Sequence, residues 1–506
     1  MCNRVKKLIT LAGDTGKSGC RLVSGSFDGE KLSIRVESRF DLYQSYLPDG
    51  WLYLDVVNIF AQLKLHIAKY IAASGMSPAS LGVETWGGDY GLLDRRGTLM
   101  SLPLFYKNAR FAEYLPEFLE RVDMREVFFR TGMDVAAYNS PVRLFIQKKL
   151  GLTGLQNADR FLGIADLLSY FFSGRPVSEL TSISVTRLVD LKSSRYSGWL
   201  LDKLGVDRSI LKNEIMMPGS IIGSVLPQVG DELGTRDMKI VAVPGHDTAA
   251  AALAVPQLGE NSIFLGSGTT LVFCSANRNL ELTDKMYEFN TSIVKGFDNT
   301  DIMVRNFSAG MWLMHALRRD WPGGISYEEM YALAETARAH RSFIDIDLGF
   351  FETWGNVRER IADYCRATGQ PVPMDGAAFI RCIVESYALK ARWALDRYAE
   401  VLGRPMESLA VVGGGVYAPL LCQMLADATG RTVVAGASEA TSAGNILTQL
   451  YALGEVAGMD EMSEIVKRSF ANTVYQPASD REQWLEAYER YLKICDKFID
   501  GKDLGE

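Results

Sequence analysis

An adjacent histidine and aspartate, His246 and Asp247, stand in the run Val243-Pro-Gly-His-Asp-Thr-Ala-Ala-Ala251, directly after the apolar residues 240–243. A carboxylate beside an imidazole at a strand end suits removal of a proton from a substrate hydroxyl, and the small residues around it let other backbone approach. The same aspartate would equally cap the helix that those small residues open. A second carboxylate, Asp14, opens the segment Asp14-Thr-Gly-Lys-Ser-Gly19, and Arg21 closes it. Backbone N–H groups in such turns form anion nests, and a carboxylate there can hold magnesium against phosphates; a purely structural turn is the alternative. Gly16-Lys17-Ser18 imitates the end of a P-loop. That pattern requires glycine at position 11, which is Leu11, and a helix afterwards, where Arg21-Leu-Val-Ser-Gly25 leads into a hairpin.

Three further stretches carry chemistry. Gly266-Ser-Gly-Thr-Thr270 offers backbone amides and two hydroxyls to phosphate oxygens, although it is also an ordinary tight turn. Gly413-Gly-Gly415 closes a strand with bare backbone against which a flat nucleotide can lie, where an αβ turn needs one glycine. Glu84-Thr-Trp-Gly-Gly-Asp89 ends another strand. There Trp86 offers a flat apolar face and Gly87 a close approach to backbone, a mixture that suits a polyol; a buried core tryptophan is the other reading.

The elements that position these residues follow from their periodicity. Residues 7–11, 21–27 and 31–36 are predicted strands, the last two flanking the hairpin signal Asp28-Gly29, with 14–19 as a Gly-rich loop. A helix is expected from about 55 to 73, a strand at 81–85, and a hairpin through Asp94-Arg-Arg-Gly97. Residues 110–235 alternate helical segments with Gly and Pro breaks. The second half echoes the first: strand, Gly-rich turn and strand over 262–274, then a long helix over 376–402. A strand at 408–412, a helix at 420–428, a strand at 432–435 and a helix at 440–453 follow. Such an echo suggests duplicated domains, and the charged, helical tail beyond 481 reads as packing.

At 506 residues the chain is too long for one core, so two large domains are expected. Its 47% hydrophobic and 23% charged content is that of an ordinary globular protein. A net charge of −7 and a pI near 5.5 argue against nucleic-acid binding through a basic surface. Leu8-Ile-Thr-Leu-Ala12 is far too short to span a bilayer, and the longer apolar stretches are interrupted, so a cytoplasmic protein without membrane contact is expected. The seven cysteines show no zinc spacing and read as reduced thiols, with Cys365 and Cys382 flanking a loop across which they could meet. Four histidines make a multi-His metal site improbable.

Taken in order, these segments resemble the FGGY family of carbohydrate kinases, most closely its rhamnulokinase branch. The matching residues are Asp14-x-Gly-x-Ser-x-x-Arg21, Thr85-Trp-Gly-x-Asp89 with Leu92-Leu-Asp94, Gly245-His-Asp-Thr-Ala249 and Ser267-Gly-Thr269. Asn306 with Gly310 and Trp312, Val412-Gly-Gly-Gly415, Leu425-Ala-Asp-Ala428, Val434-Ala-Gly-x-x-Glu-Ala440 and Gly444-Asn-Ile446 complete the set. The resemblance implies an α/β fold of two actin-like ATPase (ribonuclease H-like) domains, 1–243 and 244–506, facing each other across a cleft that takes ATP and sugar. It implies Asp247 as general base, and Gly87, Trp86, His246 and Thr248 as sugar contacts. It assigns ATP to Lys17, Ser18, Gly19, Cys20, Arg21, Thr269, Asn306 and Gly414, and Mg2+ to Asp14, through water. The implied reaction is transfer of phosphate from Mg-ATP to a small ketose, L-rhamnulose giving L-rhamnulose 1-phosphate, by a monomer or homodimer.

Several positions depart from the branch. Its Tyr-Arg-Asp-x-Arg run is Tyr106-Lys-Asn-Ala-Arg110 here, so the aspartate becomes Asn108; Gly-Thr-Trp becomes Gly268-Thr-Thr270. Gln-Asn after the glycines becomes Tyr417-Ala418, and His315 stands where the family places a glutamine near ATP, in a segment one residue longer. These departures leave open a kinase for another sugar, such as L-fuculose, or an inactive sugar- or nucleotide-binding regulator on the same fold.

Overall fold

Strand residues 8–16 are buried on nearly every side chain, the signature of a strand covered on both faces. In the computed structural model, which describes residues 7–16, 19–256, 258–307, 309–351, 355–478 and 481–496, this strand lies inside a six-stranded sheet. The order across the sheet is Ser220–Ser224, Lys239–Ala242, Ser80–Thr85, Leu8–Gly16, Gly19–Phe27, Leu32–Phe40. The middle three strands are parallel; the outer ones pair antiparallel. Strand and turn extend further than the glycines suggested. Residues 14–16 and 19, read as loop, continue the antiparallel ladder, with Asp14 opposite Arg21 and Gly16 opposite Gly19.

Alternation along the strand Ser80–Thr85 sorts the two faces of the sheet. Leu81 and Val83 enter an apolar core with Ile59, Leu63 and Ile67 of helix Val56–Ser74 and with Leu167 and Leu168 of helix Ile164–Ser173. The first of these helices is started by Asp55, whose side chain accepts from Asn58 N–H, and stopped by Gly75 in a left-handed conformation. Ser80, Gly82 and Glu84 face the other way, toward helix Ala440–Ala452, which reaches them through Gln449 and Asn445. That helix crosses the short helix Asp247–Ala252 so closely that a Cβ at Gly444 would collide with the carbonyl oxygen of Ala250.

These elements belong to one compact unit, made of Met1–Ala254, Asn277–Met303 and Ala440–Ser469. The other comprises Val255–Ala276, Val304–Glu439 and Phe470–Glu506. Here the hairpin Ser262–Ser267/Leu271–Asn277 lies beside the parallel strand Ser408–Gly413, then Thr432–Ala435, then antiparallel Thr473–Tyr475. A hairpin followed in space by a parallel strand is thus the common plan of both sheets, as the internal echo in the sequence suggested. The 27-residue helix Gly376–Leu402 delivers the chain to strand 408–413, and its Tyr398 hydroxyl donates to the Phe273 carbonyl at 2.7 Å. Cys365 and Cys382 are buried free thiols within hydrogen-bonding reach of one another. Among the described residues no helix is long and apolar enough to cross a membrane.

Replacing Gly444 by Ala forces the two crossing helices apart. An overpacked contact of this kind costs about 1–3 kcal/mol, read as a lowered urea midpoint; an unchanged midpoint would show that the crossing relaxes freely.

Candidate active site

Three carboxyl groups stand at the carboxyl ends of neighbouring parallel strands. Asp14 and Glu84 are register partners, and Thr85 bridges in parallel to His246, which immediately precedes Asp247. Asp14 is buried, and both the Arg21 guanidinium and the Ser442 hydroxyl donate to its Oδ2, the latter at 3.0 Å. Glu84 is fully buried and accepts from Asn445 Nδ2, while its Oε1 has no hydrogen-bond partner. Burial, then the nearby Asp14 charge and to a lesser extent that of Asp247, hold the Glu84 carboxyl well above the usual range; Arg21 works against them.

Asp247 is different in kind. Its side chain is 39% exposed, which leaves a carboxylate oxygen within reach of an arriving group. It occupies the first turn of helix Asp247–Ala252, with His246 in the capping position, and its Oδ1 accepts from Thr248 N–H at 2.6 Å and Thr248 Oγ1 at 3.2 Å. The cap position that the sequence allowed for Asp247 is therefore held by His246, whose side chain makes no cap hydrogen bond; its Nε2 lies 3.5 Å from the carboxylate.

The turn that presents Asp247 is gripped from a segment that sequence reasoning did not single out. Glu179 Oε2 accepts from Gly245 N–H at 2.9 Å, from Ser182 N–H at 2.9 Å and from Thr181 Oγ1 at 2.7 Å. Thr181 Oγ1 in turn accepts from His246 N–H at 3.3 Å, and Thr85 N–H donates to the Gly245 carbonyl at 2.9 Å. Despite these donors, burial pushes the Glu179 carboxyl up to about 7. The only local signal was a charged residue capping the short helix Leu180–Ser184; its long-range role has none.

Gly87 abuts the same turn: an added Cβ would lie 2.5 Å from Val185 Cγ2 and 3.0 Å from His246 Cδ2. Trp86 is buried in the core, edge-on to Phe105, and its indole N–H is satisfied by Asp89 Oδ2 at 2.8 Å. Asp89 forms a buried ion pair with Arg143, which also donates to the Gly88 and Leu104 carbonyls and so clamps the Trp86–Asp89 loop. Asn108 is buried, its Oδ1 accepting from Arg110 N–H at 3.0 Å to start a 3-10 turn, and its Nδ2 is unpartnered. All of these side chains belong to the first unit.

The residues assigned to ATP divide between the units. Gly19, Cys20 and Arg21 lie in the first; Lys17 and Ser18 lie outside the described residues. The Cys20 thiol is buried, and burial reinforced by Asp14 and Asp41 pushes it up to about 12. Thr269, Asn306 and Gly414 are exposed in the second unit. Ser267 ties two of them together: its Oγ donates to the Val412 carbonyl at 2.7 Å and accepts from Gly415 N–H at 2.8 Å, so both Gly-rich turns share one end of a parallel strand pair. Trp312 N–H donates to the Thr269 carbonyl at 3.2 Å. His315 follows one turn later and, with Arg318 and Tyr327, lines an open cavity of about 440 Å³. Tyr417 is exposed and Ala418 buried.

No group of three His, Cys, Asp or Glu side chains suited to hold a metal occurs among the described residues. The donor set still fits Mg2+, which keeps several waters and is held by one or two carboxylates plus substrate phosphates. Asp14 would be its protein partner.

Known proteins match this chain along its length. Residues 9–254 match the N-terminal domain, and 304–453 the C-terminal domain, of the FGGY family of carbohydrate kinases. The rhamnulokinase of Bacteroides thetaiotaomicron is 33% identical over 484 residues, covering 96% of this chain and 98% of that protein. The rhamnulokinase of Enterococcus faecalis is 30% identical, covering 97% and 98%. Among solved structures, a ligand-bound xylulose kinase from Lactobacillus acidophilus has a TM-score of 0.82 at 14% identity, covering 97% of this chain and 98% of that one. Plasmodium falciparum glycerol kinase with ADP has a TM-score of 0.81 at 15% identity, with the same coverage. The two-domain actin-like ATPase fold is therefore the fold of this chain.

Because the folded Glu179 value lies above the ordinary 4.5, the folded chain keeps a proton between about pH 4.5 and 7 that the unfolded chain has released. Stability from this group is therefore greatest below that window and declines as pH rises through it. The unfolding free energy of the wild type relative to Glu179→Gln is expected to fall by roughly 2–3 kcal/mol from about pH 5 to about pH 8 in urea titrations. A difference that stays level with pH would contradict the assignment.

Proposed function

From its place in the FGGY family of carbohydrate kinases, to which this chain belongs, we propose that it phosphorylates L-rhamnulose to L-rhamnulose 1-phosphate with ATP. The observation that carries the choice of sugar is the likeness, over nearly the whole of both chains, to proteins called rhamnulokinases. We read it as a cytoplasmic monomer or homodimer, in keeping with the free cysteines among the described residues.

In this reading Asp247 is the general base. It is the accessible carboxylate of the strand-end group, and its turn is fixed by Glu179, Thr181 and Thr85. The sugar hydroxyl oxygen forms its bond to the γ-phosphorus while the bond from that phosphorus to the bridging oxygen of ADP breaks; the hydroxyl proton passes to Asp247. Such transfers need positioning and charge stabilisation, with no covalent intermediate. Gly87, His246 and Thr248 border the carboxylate on the sugar side. Asp14 and Arg21, and in the other unit Thr269, Asn306 and Gly414, serve the nucleotide; Mg2+, when bound, neutralises phosphate charge. Trp86 contributes as the packed support of the Gly87 loop, its indole being turned into the core.

Asp247→Asn is expected to lower kcat by about 10²–10⁴-fold, the range for losing a general base, in an assay of sugar-dependent ADP release. Near-full turnover in that variant would remove Asp247 from the role. With the wild type, L-rhamnulose should give the highest kcat/KM in a panel with L-fuculose and other ketoses; a higher value for another sugar would reassign the substrate and leave the reaction type standing.

A further inference from the structure

Helix Ala440–Ala452 carries Ser442, Asn445 and Gln449, spaced by three and four residues and hence on one face. All three are fully buried. A helix face packed on a sheet is ordinarily apolar, so each of these side chains requires a partner, and each finds it in the two central strands. Ser442 Oγ donates to Asp14 Oδ2 at 3.0 Å. Asn445 Nδ2 donates to the Glu84 carboxyl and, at 3.2 Å, to the Gly82 carbonyl. Gln449 Nε2 donates to Asn445 Oδ1 at 2.7 Å and to the Leu11 carbonyl at 2.8 Å, and its Oε1 accepts from Ser80 Oγ at 2.6 Å.

Gln449 orients Asn445 and Asn445 holds Glu84; beside them Ser442 holds Asp14, the register neighbour of Glu84. Packing alone does not call for these bonds, since apolar replacements of matched shape at buried polar pairs are often neutral or stabilising. What they add is direction. Ser442 and Arg21 converge on a single oxygen of Asp14, which fixes the plane of that carboxylate.

We propose that Ser442 is a positioning residue for phosphoryl transfer, orienting Asp14 at the strand end from behind. The inference rests on the reading of Asp14 as the carboxylate that serves the metal–nucleotide end of the reaction. Ser442 acts through the carboxylate it holds.

The test is a double-mutant cycle of Ser442→Ala with Asp14→Asn, with turnover and KM measured separately. Misplacing a reacting group by about 1 Å costs up to roughly 10²-fold. Ser442→Ala should therefore lower kcat by about 10- to 10²-fold with the sugar KM nearly unchanged. In the Asp14→Asn background Ser442→Ala should cost almost nothing further, because the group it orients is already gone. A wild-type kcat in Ser442→Ala, or a loss that adds in full to that of Asp14→Asn, would overturn the proposal. A fully active Asp14→Asn would instead sink the underlying reading of Asp14, so the two failures are told apart.

Discussion

Keeping carboxyl groups out of water at the ends of parallel strands is the constraint around which the first unit is built. A carboxyl taken into the interior is costly unless charge, hydrogen bonds or a retained proton answer it. Asp14 is answered by Arg21 and Ser442, Glu84 by Asn445, and Glu179 by two backbone amides besides that of Gly245. These answers dictate composition far from the carboxyls themselves. One face of helix 440–452 has to be polar, Gly444 on that helix has to be small, and the segment 179–182 has to fold over the Gly245 turn.

Much of this was legible in the sequence, and the reason is periodicity. The strands around the Gly-rich turns and the helix over 440–453 announce themselves by alternation and by apolar spacing. Asp14 and Asp247 stand out because each sits among glycines or alanines at a strand end. The residues that hold them in place were not legible, because their partners are distant in the chain. Gly245 and Glu179 are 66 residues apart, Asp89 and Arg143 54, and Asp14 and Ser442 428. No local window contains both members of such a pair. Ser442, Asn445 and Gln449 did leave a trace, as polar residues at the spacing where a sheet-packed helix is apolar.

Trp86 shows how a motif residue can be seen correctly and still be ambiguous. Its type suits both a sugar platform and a core side chain, and the sequence decides neither. The structure turns on one hydrogen bond: with Asp89 three residues away to receive the indole N–H, the ring can be buried without leaving a donor unsatisfied. Asp89 is then itself buried and needs Arg143, so the loop carrying Gly87 is fixed by a chain of obligations that begins with an indole.

The same logic separates the part of the function that is deeply fixed from the part that is adjustable. A carboxylate pinned by two donors on one oxygen is suited to hold a geometry, whereas one that is 39% exposed at the head of a helix is suited to exchange a proton with what arrives. In the proposed mechanism Asp14 and Asp247 thus differ first of all in burial. In the segment 106–110 the sequence departs from the rhamnulokinase pattern instead. There Asn108 replaces the aspartate of the rhamnulokinase pattern and spends its side-chain oxygen on starting a turn. Changing that residue alters a loop; changing the strand ends alters the chemistry. A loop residue can therefore change while the setting of the strand-end carboxylates stays in place.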